Sequence, residues 1–101
     1  MGARRLIINA DDFGLTGGVN RAIAEAHSRG VVTSATLMAT GAAFDDAIAR
    51  AKEKPRLSVG CHVLLVDGTP ASRAAALPSL VNGDQFQNSL ADSRMPRCAA
   101  A

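Results

Sequence analysis

Three short apolar segments recur along the chain and limit the folds that it can adopt. They begin at Leu6, Val31 and Leu57, so that each interval of about 25 residues leaves room for one helix between two strands. Strands that alternate with amphipathic helices form βαβ units with right-handed crossovers and parallel pairing. The sequence therefore predicts an α/β chain built on a parallel βαβαβ unit.

The predicted strands cover residues 6–9, 31–38 and 57–65. The first is apolar without polar alternation, which is typical of a strand buried on both faces. The second is rich in Val and Thr, residues that favour strands. We expect all three to lie side by side in one sheet.

The first predicted helix follows the segment LTGG. Thr16 can cap a helix that begins near residue 17. Val19, Ile23 and Ala26 then recur at helical spacing and predict one apolar face. Gly30 is a typical residue to end this helix.

The second predicted helix lies within AAFDDAIARAKEK, residues 42–54. Asp46 and Arg50 are four residues apart and predict an ion pair on its outer side. Pro55 ends the helix. Its predicted buried stripe consists of Phe44, Ala47, Ile48 and Ala51.

Two adjacent carboxylates, Asp11 and Asp12, follow the first predicted strand, and His62 comes late in the third. The carboxyl ends of parallel strands meet at one rim of a sheet, where functional residues collect. Aspartate oxygen and histidine nitrogen suit Zn²⁺ and tolerate Mg²⁺ or Mn²⁺. A metal polarises a carbonyl and acidifies bound water, and a second carboxylate can act as general base. These residues predict a hydrolytic site with a divalent metal.

Plainer interpretations of the same residues remain open at this point. Asp11 and Asp12 can form a turn or cap at a strand end. A second adjacent pair, Asp45 and Asp46, is expected to be only a solvated face of the second helix, so paired aspartates alone do not indicate a site. A lone histidine such as His62 is more often a hydrogen-bonded core residue than a ligand.

Two further features are interpreted as structural. His27 comes near the end of the first helix, where a cation interacts favourably with the helix dipole. The glycines of GLTGG, residues 14–18, fit neither a dinucleotide-binding nor a P-loop pattern. We interpret them as turn residues.

Composition argues against several classes of partner. The net charge is only +2, the basic residues are scattered, and the three aromatic residues are all Phe, so no nucleic-acid surface is predicted. No apolar run approaches the roughly 20 residues of a membrane span, and the N-terminal run is too short for a signal peptide. Cys61 and Cys98 show no metal or disulfide spacing. We expect a cytoplasmic protein in which Cys61 is a buried small hydrophobe.

The sequences of four segments resemble those of one known family. LIINADDFGLTGGVNRAI, AHSRGVVTSATLM, GCHVLLVDGTP and PSLV are similar to the YdjC-like carbohydrate deacetylases, a family of chitooligosaccharide deacetylases that includes hopanoid-biosynthesis-associated members. The resemblance extends over about residues 5–86. NADDFG together with the histidine of the third strand is its most specific part.

The resemblance implies a TIM-barrel-like (βα) fold and removal of N-acetyl groups from amino sugars or oligosaccharides with a divalent metal, Mg²⁺ or Zn²⁺. It implies that Asp11 is the general base and that Asp12 and His62 bind the metal. The family supplies a further metal-binding histidine from the later half of its barrel. This chain has only His27 and His62, so that ligand is missing.

The length also departs from the family pattern, because a complete barrel of this type needs about 250 residues and the chain has 101. We therefore expect residues 1–86 to be the N-terminal portion of a truncated deacetylase barrel. Residues 87–101 are expected to be an irregular tail that is out of frame. A homo-oligomer or a separately encoded second half can complete such a fold.

Two alternative functions remain. The first is a non-catalytic remnant or binding module. The second is a phosphorelay receiver domain, which also ends its first strand in paired acids. A receiver needs a phospho-accepting Asp at the end of the third strand and a later Lys, whereas this chain has His62 there and no Lys after Lys54. The deacetylase interpretation therefore ranks first.

Overall fold

The computed structural model describes residues 2–89, which divide into two compact units, one ending at Val63 and the other beginning at Leu64. The elements of the first unit are β1 (Asn9–Phe13), α1 (Gly17–Arg29), β2 (Ser34–Leu37), α2 (Phe44–Glu53) and β3 (Ser58–Cys61). The second unit contains a 3₁₀ turn (Ala74–Ala76), β4 (Val81–Asn82) and β5 (Gln85–Phe86).

The first unit is the parallel βαβαβ unit that the sequence predicts. Its strands lie in the order β1-β2-β3, and both pairings are parallel. Asn9, Ser34 and Ser58 stand in register across the three strands. In receiver domains the first strand lies between the second and the third. The central position of β2 therefore argues against the receiver alternative.

The two helices and the sheet enclose one apolar core. Side chains from both helices, from β1 and β2 and from the start of the third strand region meet there, and α1 contacts α2. These core residues are Phe13, Ile23, Ala35, Ala47 and Leu57. Thr16 caps α1 as predicted, since its hydroxyl accepts the Val19 N–H at 3.1 Å.

The predicted first strand is wrong in position and in burial. β1 begins at Asn9, and Leu6 and Ile7 before it are each 77% exposed. A strand is buried on both faces only where a layer covers each face. Within residues 2–89 the helices of the first unit pack on one face only. Because β1 extends to Phe13, Asp11 and Asp12 lie inside it and not after it.

The third strand is also shorter than predicted. β3 ends at Cys61, and His62 follows it directly, with its N–H donating to the Leu37 carbonyl at 2.9 Å. The expectation that Cys61 is buried is wrong, because the side chain is exposed. Cys61 stands beside Leu37 on the outer strand of the described sheet, and the two helices of this unit leave it uncovered.

The second unit is small. β4 and β5 form an antiparallel pair, and Phe86 of β5 is buried, with 8% exposure. The Phe86 N–H donates to the Gly68 carbonyl at 2.8 Å. Most of the predicted irregular tail, including Cys98, lies outside the described residues. No helix within residues 2–89 is both long enough and apolar enough to cross a membrane.

Asn20 is the polar side chain that joins three segments of the first unit. It is fully buried and accepts the Gly14 N–H at 2.6 Å on its Oδ1 atom. Its Nδ2 group donates to the Ala43 carbonyl at 3.0 Å and to Asp46 Oδ2 at 2.9 Å. One amide thus connects the turn after β1, helix α1 and the start of α2.

Asp46 is more than the solvated residue that its place on α2 suggests. The predicted pair with Arg50 forms, at 2.9 Å between Nε and Oδ2. Hydrogen bonds from Arg50 and then from Asn20 lower the pKa of the Asp46 carboxyl below its ordinary value of 3.8. A lowered folded-state pKa stabilises the fold above the unfolded-state value, and this contribution is lost as the pH falls through the folded-state value.

We expect Asn20→Ala to lower the free energy of unfolding by about 2 kcal/mol, because the buried Gly14 N–H loses its acceptor. Urea unfolding at neutral pH measures this. Arg21→Ala, an exposed neighbour on the same helix, is the control and should change stability by less than about 0.5 kcal/mol. Equal stability of the two variants would contradict the role given to Asn20.

A second prediction concerns acid. Asp46→Asn should be less stable than the unmodified chain at neutral pH, and the difference should shrink as the pH falls below 3.8, where the carboxyl becomes protonated. Urea unfolding of both proteins across this range tests it. Asp45→Asn, which alters the neighbouring exposed carboxylate on the same helix, is measured in parallel as the charge-matched control. A difference for Asp46→Asn that is constant with pH would refute the assignment.

Candidate active site at the end of the parallel sheet

A β-bulge explains why two acidic residues stand side by side in β1. Ala10 pairs with Ala35 and Phe13 with Leu37, so three steps along β1 match two along β2. Asp12 has a φ of +64°, in the left-handed region that Asp tolerates better than most residues. Bulges reorient side chains next to active sites. The extra residue breaks the strict alternation of side chains.

The turn after the bulge is held by close packing of two glycines. Gly14 has a φ of +102°, and its carbonyl accepts the Ala43 N–H at 2.9 Å. A Cβ atom on Gly41 would overlap that same Gly14 carbonyl. The loops that follow β1 and β2 therefore approach each other closely, next to Asp12.

Asp12 and His62 meet across the end of the sheet. The Asp12 N–H points to His62 Nδ1 at 3.3 Å, and Asp12 Oδ1 lies 3.6 Å from the same nitrogen. Because a backbone N–H only donates, Nδ1 must offer its lone pair, and the proton of the neutral ring lies on Nε2. Nδ1 and Oδ1 are therefore two neighbouring ligand atoms, and a cation at Nδ1 would take the lone pair that accepts the Asp12 N–H here.

The spacing of these two atoms suits adjacent ligands of one cation. Ligands at about 2.1 Å from a tetrahedral Zn²⁺ lie about 3.4 Å apart, close to the 3.6 Å between Asp12 Oδ1 and His62 Nδ1. The pair fits two positions of a metal site. Within residues 2–89, no group of three or more His, Cys, Asp or Glu side chains is arranged to hold a metal.

Asp11 is held by a different set of partners. Its Oδ1 atom accepts hydrogen bonds from Asn9 Nδ2 and from Thr36 Oγ1, both at 2.9 Å. The Ser34 hydroxyl in turn donates to Asn9 Oδ1 at 2.8 Å. Thr36 Oγ1 also lies 3.4 Å from His62 Nδ1, so it stands between Asp11 and His62.

The structure therefore brings together the three residues that the sequence singled out, Asp11, Asp12 and His62. It places His27 elsewhere, on α1, where Nδ1 contacts the Val32 carbonyl at 2.8 Å. Sequence reasoning missed Asn9, Ser34, Thr36 and Asn20. The signal for the strand residues is polar alternation, since NADDF and SATL carry a polar residue at every second position before the bulge.

Comparison with known proteins places the chain in a family. A sequence model described as "YdjC-like protein" matches residues 5–100. The chain belongs to the YdjC-like family, as its motifs indicate.

Several relatives share about half of the aligned residues with this chain. The carbohydrate deacetylase of Brevibacillus brevis is 52% identical over 80 residues, which are 79% of this chain and 32% of that protein. The carbohydrate deacetylase of Geobacillus stearothermophilus is 53% identical over 79 residues, 78% of this chain and 31% of that protein. The chitooligosaccharide deacetylase of Salmonella paratyphi B is 49% identical over 74 residues, 73% and 29% of the two chains. The chain spans about a third of the length of these relatives.

A solved structure shows the same arrangement of elements. A crystal structure of an Enterococcus faecalis V583 protein, proposed to cleave cellobiose phosphate, superposes with a TM-score of 0.76 at 42% sequence identity. The superposition covers 80% of this chain and 33% of the other.

Proposed function

We propose that this chain supplies the N-terminal part of the active site of a metal-dependent hydrolase that removes N-acetyl groups from amino sugars or oligosaccharides. The observation that supports it most directly is the meeting of Asp11, Asp12 and His62 at one end of the sheet. Relatives named carbohydrate deacetylase and chitooligosaccharide deacetylase support the same substrate class.

In this proposal Asp12 and His62 hold a divalent cation, Zn²⁺ or Mg²⁺. Their 3.6 Å separation supports the pairing, with the cation taking the place of the Asp12 N–H at Nδ1, and imidazole nitrogen in the ligand set favours Zn²⁺. When bound, such a cation polarises a carbonyl and lowers the pKa of a bound water. Catalytic Zn²⁺ sites use about three protein ligands, so one more donor must come from outside residues 2–89 or from a partner chain, which includes a second copy.

Asp11 acts as the general base. It lies next to Asp12 in the bulge, but its carboxylate accepts hydrogen bonds from Asn9 and Thr36. In this proposal the Asp11 carboxylate does not bind the cation, so it stays available for a proton. Asp11 takes a proton from the water that attacks the acetamide carbonyl carbon. The new C–O bond forms, the C–N bond breaks, and the proton passes to the leaving nitrogen. The products are acetate and the free amine.

A non-catalytic binding module is the second candidate. It is favoured by the presence of only two suitably placed ligands in the described part of the chain and by coverage of about a third of the relatives' length. A carbohydrate ligand, a cytoplasmic location and the lack of a nucleic-acid partner are shared by both candidates and stay predictions from the sequence.

The metal role predicts a thermal shift. At a Zn²⁺ concentration about five times the dissociation constant, the melting temperature should rise by about 4–8 °C, because binding to the folded state adds about 1 kcal/mol. Asp12→Ala and His62→Ala should each abolish the rise, whereas Asp45→Ala should keep it. The same shift in all four proteins would rule out Asp12 and His62 as ligands.

If Asp11 is the general base, a substitution of Asp11 should abolish turnover without abolishing metal binding. Asp11→Asn should lose acetate release from an N-acetylated chitooligosaccharide, because the amide cannot take the proton, and should keep the Zn²⁺-dependent thermal shift. Turnover by Asp11→Asn at the rate of the unmodified chain would remove Asp11 as the base. A thermal shift without acetate release by the unmodified chain would favour the binding module.

A further inference from the structure

We propose that Thr36 and Asn9 are positioning residues for Asp11, and that they occupy Oδ1 so that Oδ2 is the atom that takes the proton. The inference rests on the base role proposed for Asp11. It adds two residues and one specific oxygen to that role.

The directions of the hydrogen bonds around Asn9 follow from the chemistry of the groups. A carboxylate only accepts, so the Asn9 amide must present Nδ2 to Asp11 Oδ1, at 2.9 Å. This orientation leaves the amide oxygen facing Ser34, whose hydroxyl donates to it at 2.8 Å. The position of Ser34 therefore fixes the amide in the orientation that Asp11 requires.

Thr36 has one hydroxyl proton, and two neighbours compete for it. His62 Nδ1 lies 3.4 Å away, but its lone pair already faces the Asp12 N–H. The nearer acceptor is Asp11 Oδ1, at 2.9 Å. A β-branched residue such as Thr is also stiff about χ1, so Thr36 offers its proton from a fixed place beside His62.

The hydrogen bonds from Asn9 and Thr36 make the two carboxylate oxygens of Asp11 different from each other. Both donors reach Oδ1, and no donor among residues 2–89 reaches Oδ2. Without them an exposed carboxylate exchanges among staggered rotamers. With them the side chain is limited to the rotamer that keeps Oδ1 against the sheet and Oδ2 open.

The test compares the rotamer of Asp11 in matched variants of the full chain. Thr36→Val removes the hydroxyl and keeps the shape, and Thr36→Ser keeps the hydroxyl. Thr33→Val is the control, since Thr33 makes hydroxyl contacts with the Ile8 backbone at the other end of the strand. Three-bond NMR couplings that report χ1 of Asp11 are measured in each, together with the melting temperature with and without Zn²⁺.

We expect a single Asp11 rotamer in the unmodified chain, in Thr36→Ser and in Thr33→Val, and loss of that single rotamer in Thr36→Val. Averaged couplings in the unmodified chain, or unchanged couplings in Thr36→Val, would overturn the inference. If Thr36→Val fails to fold, Asn9→Ala removes the other donor and is judged by the same couplings. Absence of a Zn²⁺ shift in the unmodified chain counts against the proposed metal role alone, because the couplings are measured without metal.

Discussion

The buried amide of Asn20 is the interaction on which the arrangement of the first unit depends. It is fully buried, and a buried amide is stable only when its donors and acceptors are satisfied. Asn20 meets this requirement by taking the Gly14 N–H on one side and binding Ala43 and Asp46 on the other. The turn that follows the bulge at Asp12 is therefore fixed relative to both helices.

The bulge in β1 and the hydrogen bonds of the Asn20 amide together produce the candidate site. In a regular strand Asp11 and Asp12 would point to opposite faces, and one carboxylate would lie toward the apolar core. The extra residue lets Asp12 approach His62 while Asp11 keeps its bonds to Asn9 and Thr36. Two like charges are tolerated side by side because Asp11 accepts hydrogen bonds from Asn9 and Thr36, while the Asp12 side chain is 51% exposed and its charge is solvated.

The sequence predicted the parallel βαβαβ unit, the cap at Thr16 and the Asp46–Arg50 pair, and the structure confirms them. These features depend on residues close together in the chain. The strand limits and the burial of Cys61 were wrong because both depend on which neighbours cover each strand. The periodicity of one segment carries no information about the layers around it.

The sequence by itself determined the family, the order of helices and strands, and the placing of Asp11, Asp12 and His62 at one end of the sheet. Local patterns and sequence motifs are sufficient for these features. Only the tertiary structure decided that Asp12 adopts a left-handed conformation, that Asn20 joins three segments, and that Thr36 stands between Asp11 and His62. Each of these joins residues from different segments or depends on strand register. The physical reason is that hydrogen bonds between distant segments are set by how strands and helices pack, and not by their sequence spacing.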